Sequence, residues 1–237
     1  MKAAFLCEFA TIRNILIQWA ILYLILGVVV GIAMESSVAM VACIAAMTPF
    51  LTVFTLSGYD AVNGWERFRA CLPISRGAVA FGRYVVVLLV TIMMAALAIV
   101  VALVLAQVAP ALPLPEGTAA NLAAESDPAT LIAAAMAGAS IILFVTALIL
   151  PFILRFGMNK AMRIIPIVMV LAVVVAIPVL GDVLAQLSVI DWVADLIAFA
   201  EDESNLIALT GAIAGAVLIV YAASGLLAAR LYRGKEL

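Results

Sequence analysis

The sequence predicts an all-α, polytopic membrane protein with six transmembrane helices and both termini in the cytoplasm. Three observations carry that prediction. Hydrophobic residues fill 68% of the 237 positions and charged residues only 11%, against roughly 45–50% and about 25% in soluble domains. Six apolar runs are long enough to cross a hydrocarbon layer of about 30 Å, which takes about 20 residues because every backbone N–H and C=O there must bond inside its own helix. All twelve Lys and Arg residues fall on one side of the layer those runs define.

Residues 1–13 open the chain with Phe5, Phe9 and Ile12 at a three-to-four spacing and Lys2, Glu8 and Arg13 as the polar positions. That pattern predicts a short amphipathic helix lying on the inner headgroup layer. No cleavable signal peptide is expected, since the first long apolar run starts only afterwards and exceeds a signal core. The runs themselves are residues 15–34, 38–57, 85–106, 131–154, 164–180 and 206–229. Pro49, mid-way along the second, removes a helix hydrogen bond and is expected to bend the axis. The fifth, at 17 residues, is near the lower limit for a crossing. Residues 109–130 hold four of the nine prolines and read as irregular or mobile chain. Within the outer loop of residues 181–205, Leu184, Leu187, Ile190, Ala194 and Ile197 line one face of a predicted amphipathic helix at the outer interface. Gly27 with Gly31, and Gly211 with Gly215, offer small-residue contact faces, within the chain or between two copies.

Orientation follows from charge. The basic clusters flank the chain ends and the loops at residues 58–84 and 155–163, which the positive-inside rule puts in the cytoplasm. The loops at 107–130 and 181–205 have no basic residue but contain nine of the fourteen acids. Several function classes are excluded by the same inventory. The interiors of the six runs contain no Asp, Glu, Lys, Arg or His, Gln18 being their one side-chain amide, so a gradient-driven carrier lacks its usual coupling groups. With no histidine and with Cys7, Cys43 and Cys71 isolated, neither a catalytic constellation nor a metal or disulfide framework is present. The basic clusters are small and adjoin apolar runs, where anionic lipid headgroups account for them. Nucleic acid is therefore not expected as a partner.

Residues 59–84 are much richer in signals than an inert loop. Val62, Trp65, Phe68 and Leu72 would gather on one face of a helix, with Asn63, Glu66 and Arg67 opposite. Pro73 stops that helix, and Ser75 can cap the next one, which runs through Arg76 and Arg83 into the third span. Asp60, near the end of the second span, can pair with Arg76 or Arg83. The result is a short amphipathic helix across the membrane surface, either an anchor for the loop or a place where a cytoplasmic partner pushes.

This stretch resembles the matching loop of bacterial ABC exporter permeases of the second type, six-span membrane subunits encoded apart from their ATPase. There an acidic residue after the second span is followed by Asn, an aromatic position, and Leu-Pro-Val/Ile-Ser-Arg. Asp60, Asn63, Trp65, Leu72, Pro73, Ile74, Ser75 and Arg76 match in order, whereas Ala61 and Val62 stand where many members have charged residues. The resemblance implies a coupling helix over residues 64–72, with Asn63, Gly64, Trp65, Glu66, Arg67, Phe68 and Leu72 meeting the ATPase and Asp60, Pro73, Ser75 and Arg76 shaping the loop. It makes residues 1–13 a connecting helix along the inner surface. It also implies a second copy of the chain or a related permease, and export of an amphipathic or peptide substrate across the bacterial cell membrane. The chain has no G-x-x-x-x-G-K-[ST] loop, so it is not itself expected to be an enzyme, and ATP and Mg would be bound by the partner ATPase. The competing reading is a non-transporting multi-pass protein, an immunity, assembly or sensor partner.

Overall fold

The computed structural model describes residues 2–62, 75–111, 117–161, 163–164 and 203–234. Its elements are α1 (Lys2–Ala33), α2 (Ser37–Val62), α3 (Arg76–Val108), a 3-10 turn (Ala109–Ala111), α4 (Thr118–Ala124), α5 (Pro128–Phe156) and α6 (Glu203–Arg233), with no strand among the described residues. Five of these helices are long and apolar enough to cross a membrane. They are α1, α2, α3, α5 and α6. The sixth predicted crossing, residues 164–180, and the outer helix of 181–205 lie, but for their edges, outside the described residues.

The helices sort by direction. Gly27 and Gly31 of α1 face Ile44 and Met40 of α2, so these two run antiparallel. Gly82 of α3 faces Ala4, while Gly31 faces Leu105, so α1 and α3 run parallel. Ser224 donates to the Ala147 carbonyl and Arg155 to that of Leu231, which makes α5 and α6 parallel neighbours. One end of the bundle therefore carries Arg76, Arg83, Arg155 and Arg230. The other carries Glu35, Glu125 and Asp127. We refer to them as the basic and acidic ends.

Close approach is bought by glycine at specific places. A Cβ at Gly138 of α5 would press on the Ala42 carbonyl of α2 and sit 3.0 Å from the Ala42 Cα, so no larger residue fits without the backbones parting. A Cβ at Gly27 would meet Ile44 at 2.6 Å, whereas one at Gly215 would meet nothing within 4 Å among the described residues. The first glycine pair is thus a contact face inside the chain; of the second, Gly211 makes only an ordinary contact with Met136.

Two expectations change. Residues 2–13 do not form a separate helix: α1 is unbroken from Lys2 to Ala33, since no proline or glycine stands before Gly27 to interrupt it. Ala4, Glu8 and Ile12, one per turn, are the buried stripe, so Glu8 faces the protein and not the headgroup layer. At about 48 Å for 32 residues, α1 is longer than the hydrocarbon layer. The stretch 109–130 is likewise not irregular throughout. Its prolines flank α4, whose own residues, TAANLAA, include none, and Pro128 begins α5 behind the Asp127 cap, whose carboxylate accepts from the Ala129 and Thr130 N–H groups. α2 for its part continues through Pro49.

Candidate functional site

At the basic end, three helices meet on one guanidinium. Arg83 of α3 donates from Nε and Nη2 to both Glu8 oxygens of α1 at 3.1–3.3 Å, and from Nη2 to Asp60 Oδ2 of α2 at 2.6 Å. Arg83 and Glu8 are 1% and 2% exposed. Each residue is positioned by something local. Gly82 lets α3 approach the α1 backbone at Ala4, where a Cβ would be 3.3 Å from the carbonyl carbon. Glu8 then faces Arg83 because it lies on the Ala4–Ile12 stripe. Asp60 arrives from the last turn of α2. A planar guanidinium with several fixed donors suits two carboxylates converging from different directions, which a lysine ammonium would match less well.

The next residue along α3 points the other way. The Tyr84 hydroxyl pairs with Ser224 Oγ of α6 at 2.8 Å, and Ser224 in turn donates to the Ala147 carbonyl of α5. The Tyr221 ring lies tilted at 52° to that of Tyr84, with 4.8 Å between centroids, and its hydroxyl donates to the Tyr84 carbonyl at 3.0 Å. A Cβ at Gly225 would come within 3.3 Å of the Tyr84 ring, so this glycine is what admits the ring. Two consecutive side chains, Arg83 and Tyr84, therefore connect α3 to α1, α2, α5 and α6.

Of the residues the sequence singles out, Asp60 is in the ion cluster and takes Arg83, not Arg76, as the described partner. Ser75 caps α3, its side chain accepting from the Ala78 N–H at 3.3 Å. Arg76 is the exposed first residue of that helix. Asn63, Gly64, Trp65, Glu66, Arg67, Phe68, Leu72 and Pro73 lie outside the described residues. Glu8, Tyr84, Tyr221 and Ser224 were not anticipated. The available signals were a single acid among the first 34 residues and a Tyr and Ser three apart on an otherwise aliphatic helix, a spacing that puts both on one face.

No group of three or more His, Cys, Asp or Glu fit to hold a metal ion occurs among the described residues. What the described residues form here is a set of polar ties across helices.

Comparison with protein families gives a match to the model described as ABC-2 family transporter protein, over residues 5–233. No curated protein and no solved structure matches the chain.

Proposed function

Because the chain belongs to the ABC-2 family of transporter proteins, a family of membrane transport subunits that normally pair with an ABC ATPase, we propose that it is the permease of an ATP-driven exporter. In this reading it has six crossings and both termini in the cytoplasm of a bacterium. It moves an amphipathic or peptide substrate outward, as a pair with a second copy or a related permease. A separate ATPase binds ATP and Mg and seats on residues 63–72.

The direction of the helices supports the sixth crossing. α5 and α6 run parallel, so residues 157–202 must carry the chain from the basic end back to the acidic end, and the apolar run 164–180 supplies a length able to do so. The basic end collects Arg76, Arg83, Arg155 and Arg230, the asymmetry expected of a cytoplasmic side.

The observation that carries the coupling role is the Glu8–Arg83–Asp60 cluster. Asp60 stands three residues before Asn63, and Arg83 eight residues after Ser75, about 12 Å along α3. A push on residues 63–74 would reach both flanking helices, and a buried ion cluster resists separation because pulling one charge away leaves another poorly solvated. α1, α2 and α3 would then move together at this end. Tyr84 passes the displacement on to α5 and α6.

Co-purification tests the proposal. Wild-type chain should retain a soluble ABC ATPase, and Trp65→Asp with Phe68→Asp should lose it while helical content and elution volume stay unchanged. A double variant that keeps the ATPase would overturn docking through this segment. A wild-type chain that binds no ATPase would favour the non-transporting alternative.

A further inference from the structure

The basic end of the α5–α6 pair has more positive charge than the described residues pair. From Pro128 to Arg163, and again from Ser204 to Gly234, the sequence holds no Asp or Glu. Two parallel helices place their C-termini side by side here, and each such end is equivalent to roughly half a negative charge. Arg155 offsets about that sum: its Nη1 donates to the Leu231 carbonyl at 3.0 Å, across from α5 to the last turn of α6. Arg230, Lys160 and Arg163 are exposed, and none has an ion pair with a described residue. The turn bearing Lys160 is held in place, since Ala161 is fully buried and its N–H bonds the Gly157 carbonyl at 2.9 Å.

What borders these cations decides their partner. Phe152 and Phe156, stacked at 6.5 Å between centroids, are 40% and 44% exposed on α5. Leu227 and Leu231 are exposed on α6. Charge thus gives way directly to apolar side chains on the same two helices, at the level where a spanning helix passes from headgroups into acyl chains. A soluble acidic surface could satisfy the cations but not the aromatic and leucine faces beneath them.

We propose that the basic end of α5–α6 binds the phosphate of an anionic glycerophospholipid, with Lys160, Arg163 and Arg230 at the headgroup and Phe152, Phe156 and the leucines along the acyl chains. This surface lies on different helices from residues 63–72 and does not depend on an ATPase partner.

The test uses the full chain in nanodiscs of phosphatidylcholine containing increasing phosphatidylglycerol, with retained lipid quantified by native mass spectrometry. Wild type should keep phosphatidylglycerol in preference to phosphatidylcholine, and each neutralised cation should lower that preference roughly fivefold. Lys160→Gln with Arg163→Gln keeps Arg155 and its carbonyl bond, so it isolates lipid binding from folding; Arg230→Gln should act in the same direction. Arg13→Gln, an exposed cation on α1 away from this surface, should lower the preference much less. Equal retention of the two lipids by wild type would overturn the proposal. So would an Arg13→Gln loss as large as that of the α5–α6 variants, which would mean a diffuse charge effect. Glycerol phosphate competing as well as the intact lipid would point to a soluble anion and overturn it too.

Discussion

At the basic end three transmembrane helices share one buried guanidinium. At the acidic end a seven-residue helix, α4, is fastened over the α1–α2 turn by carboxylates accepting from neutral donors. Glu35 accepts from Thr118 Oγ1 and Asn121 Nδ2 at 3.2 and 3.1 Å. Glu125 accepts from Ser36 Oγ and from the Val38 N–H, and Ser37 Oγ donates to the Leu122 carbonyl at 3.0 Å. Polar contacts tie helices at both ends, but their surroundings differ. Glu8 and Arg83 are almost fully buried, whereas Glu35 is exposed and Glu125 only half-buried. An exposed carboxylate that loses its partner turns to water, and a buried one cannot. Tight mechanical linkage therefore belongs to the basic end, and α4 is the part more easily released.

Arg83→Met should produce the largest effect, because it takes from Glu8 and Asp60 the cation both of them hold. Removing one partner of a buried ion pair costs about 3–5 kcal/mol, and the unfolding midpoint of the purified chain in detergent should fall accordingly. Replacing all three residues with apolar side chains of similar size should restore much of the loss, since buried ion clusters add little net stability over good packing. A single variant that unfolds like wild type would remove the contrast between the two ends.

The next effect concerns helix approach. Gly138→Ala should destabilise by about 1–3 kcal/mol, because the added methyl meets the Ala42 backbone and not the movable tip of a side chain. Gly215→Ala, with nothing within 4 Å among the described residues, should be neutral or gain up to about 1 kcal/mol from helix propensity. Equal losses at the two sites would show that α6 meets a tight neighbour at Gly215 beyond the described residues, as a permease pair would allow. Parallel measurements in dilute detergent and in bilayers separate the two cases.

Apolar length and charge asymmetry made the helices legible in sequence, since both follow from the cost of exposing backbone and charge to hydrocarbon. α2, α3, α5 and α6 contain the runs predicted for them, and Ser75 starts α3 as a capping serine should. Glu8 was harder because helical period says which residues share a face, not which face meets protein; spacing matched Phe5 and Phe9 to an apolar side, while packing chose Ala4, Glu8 and Ile12. α4 was hidden by its flanking prolines, which mark ends of elements as readily as absence of structure. The same limit applies to Gly138, whose partner Ala42 lies 96 positions away on another helix. Small residues announce a possible contact but not the neighbour that uses it.

The smallest expected effect is the sharpest test of the acidic end. Glu35 is the one non-glycine residue with positive φ among the described residues, at 52°, where it follows α1 and lets the Ser36 N–H reach the Gly31 carbonyl at 3.1 Å. A left-handed L-residue costs roughly 1–2 kcal/mol, which Glu35→Gly would recover in part. The same change removes the acceptor for the buried Thr118 hydroxyl and for the exposed Asn121 amide, bonds worth about 0.5–1.5 kcal/mol each, and it loosens the unfolded chain by a further 0.5–1 kcal/mol, roughly. The losses exceed the gain by about 1–2 kcal/mol, so the unfolding midpoint should fall by roughly 2–8 °C in a chain of this size. Amide exchange in residues 118–124 should accelerate by more than that global loss accounts for, because the fastening of α4 is weakened locally. A loss as large as that of Arg83→Met would mean that the acidic end is as tightly built as the basic one.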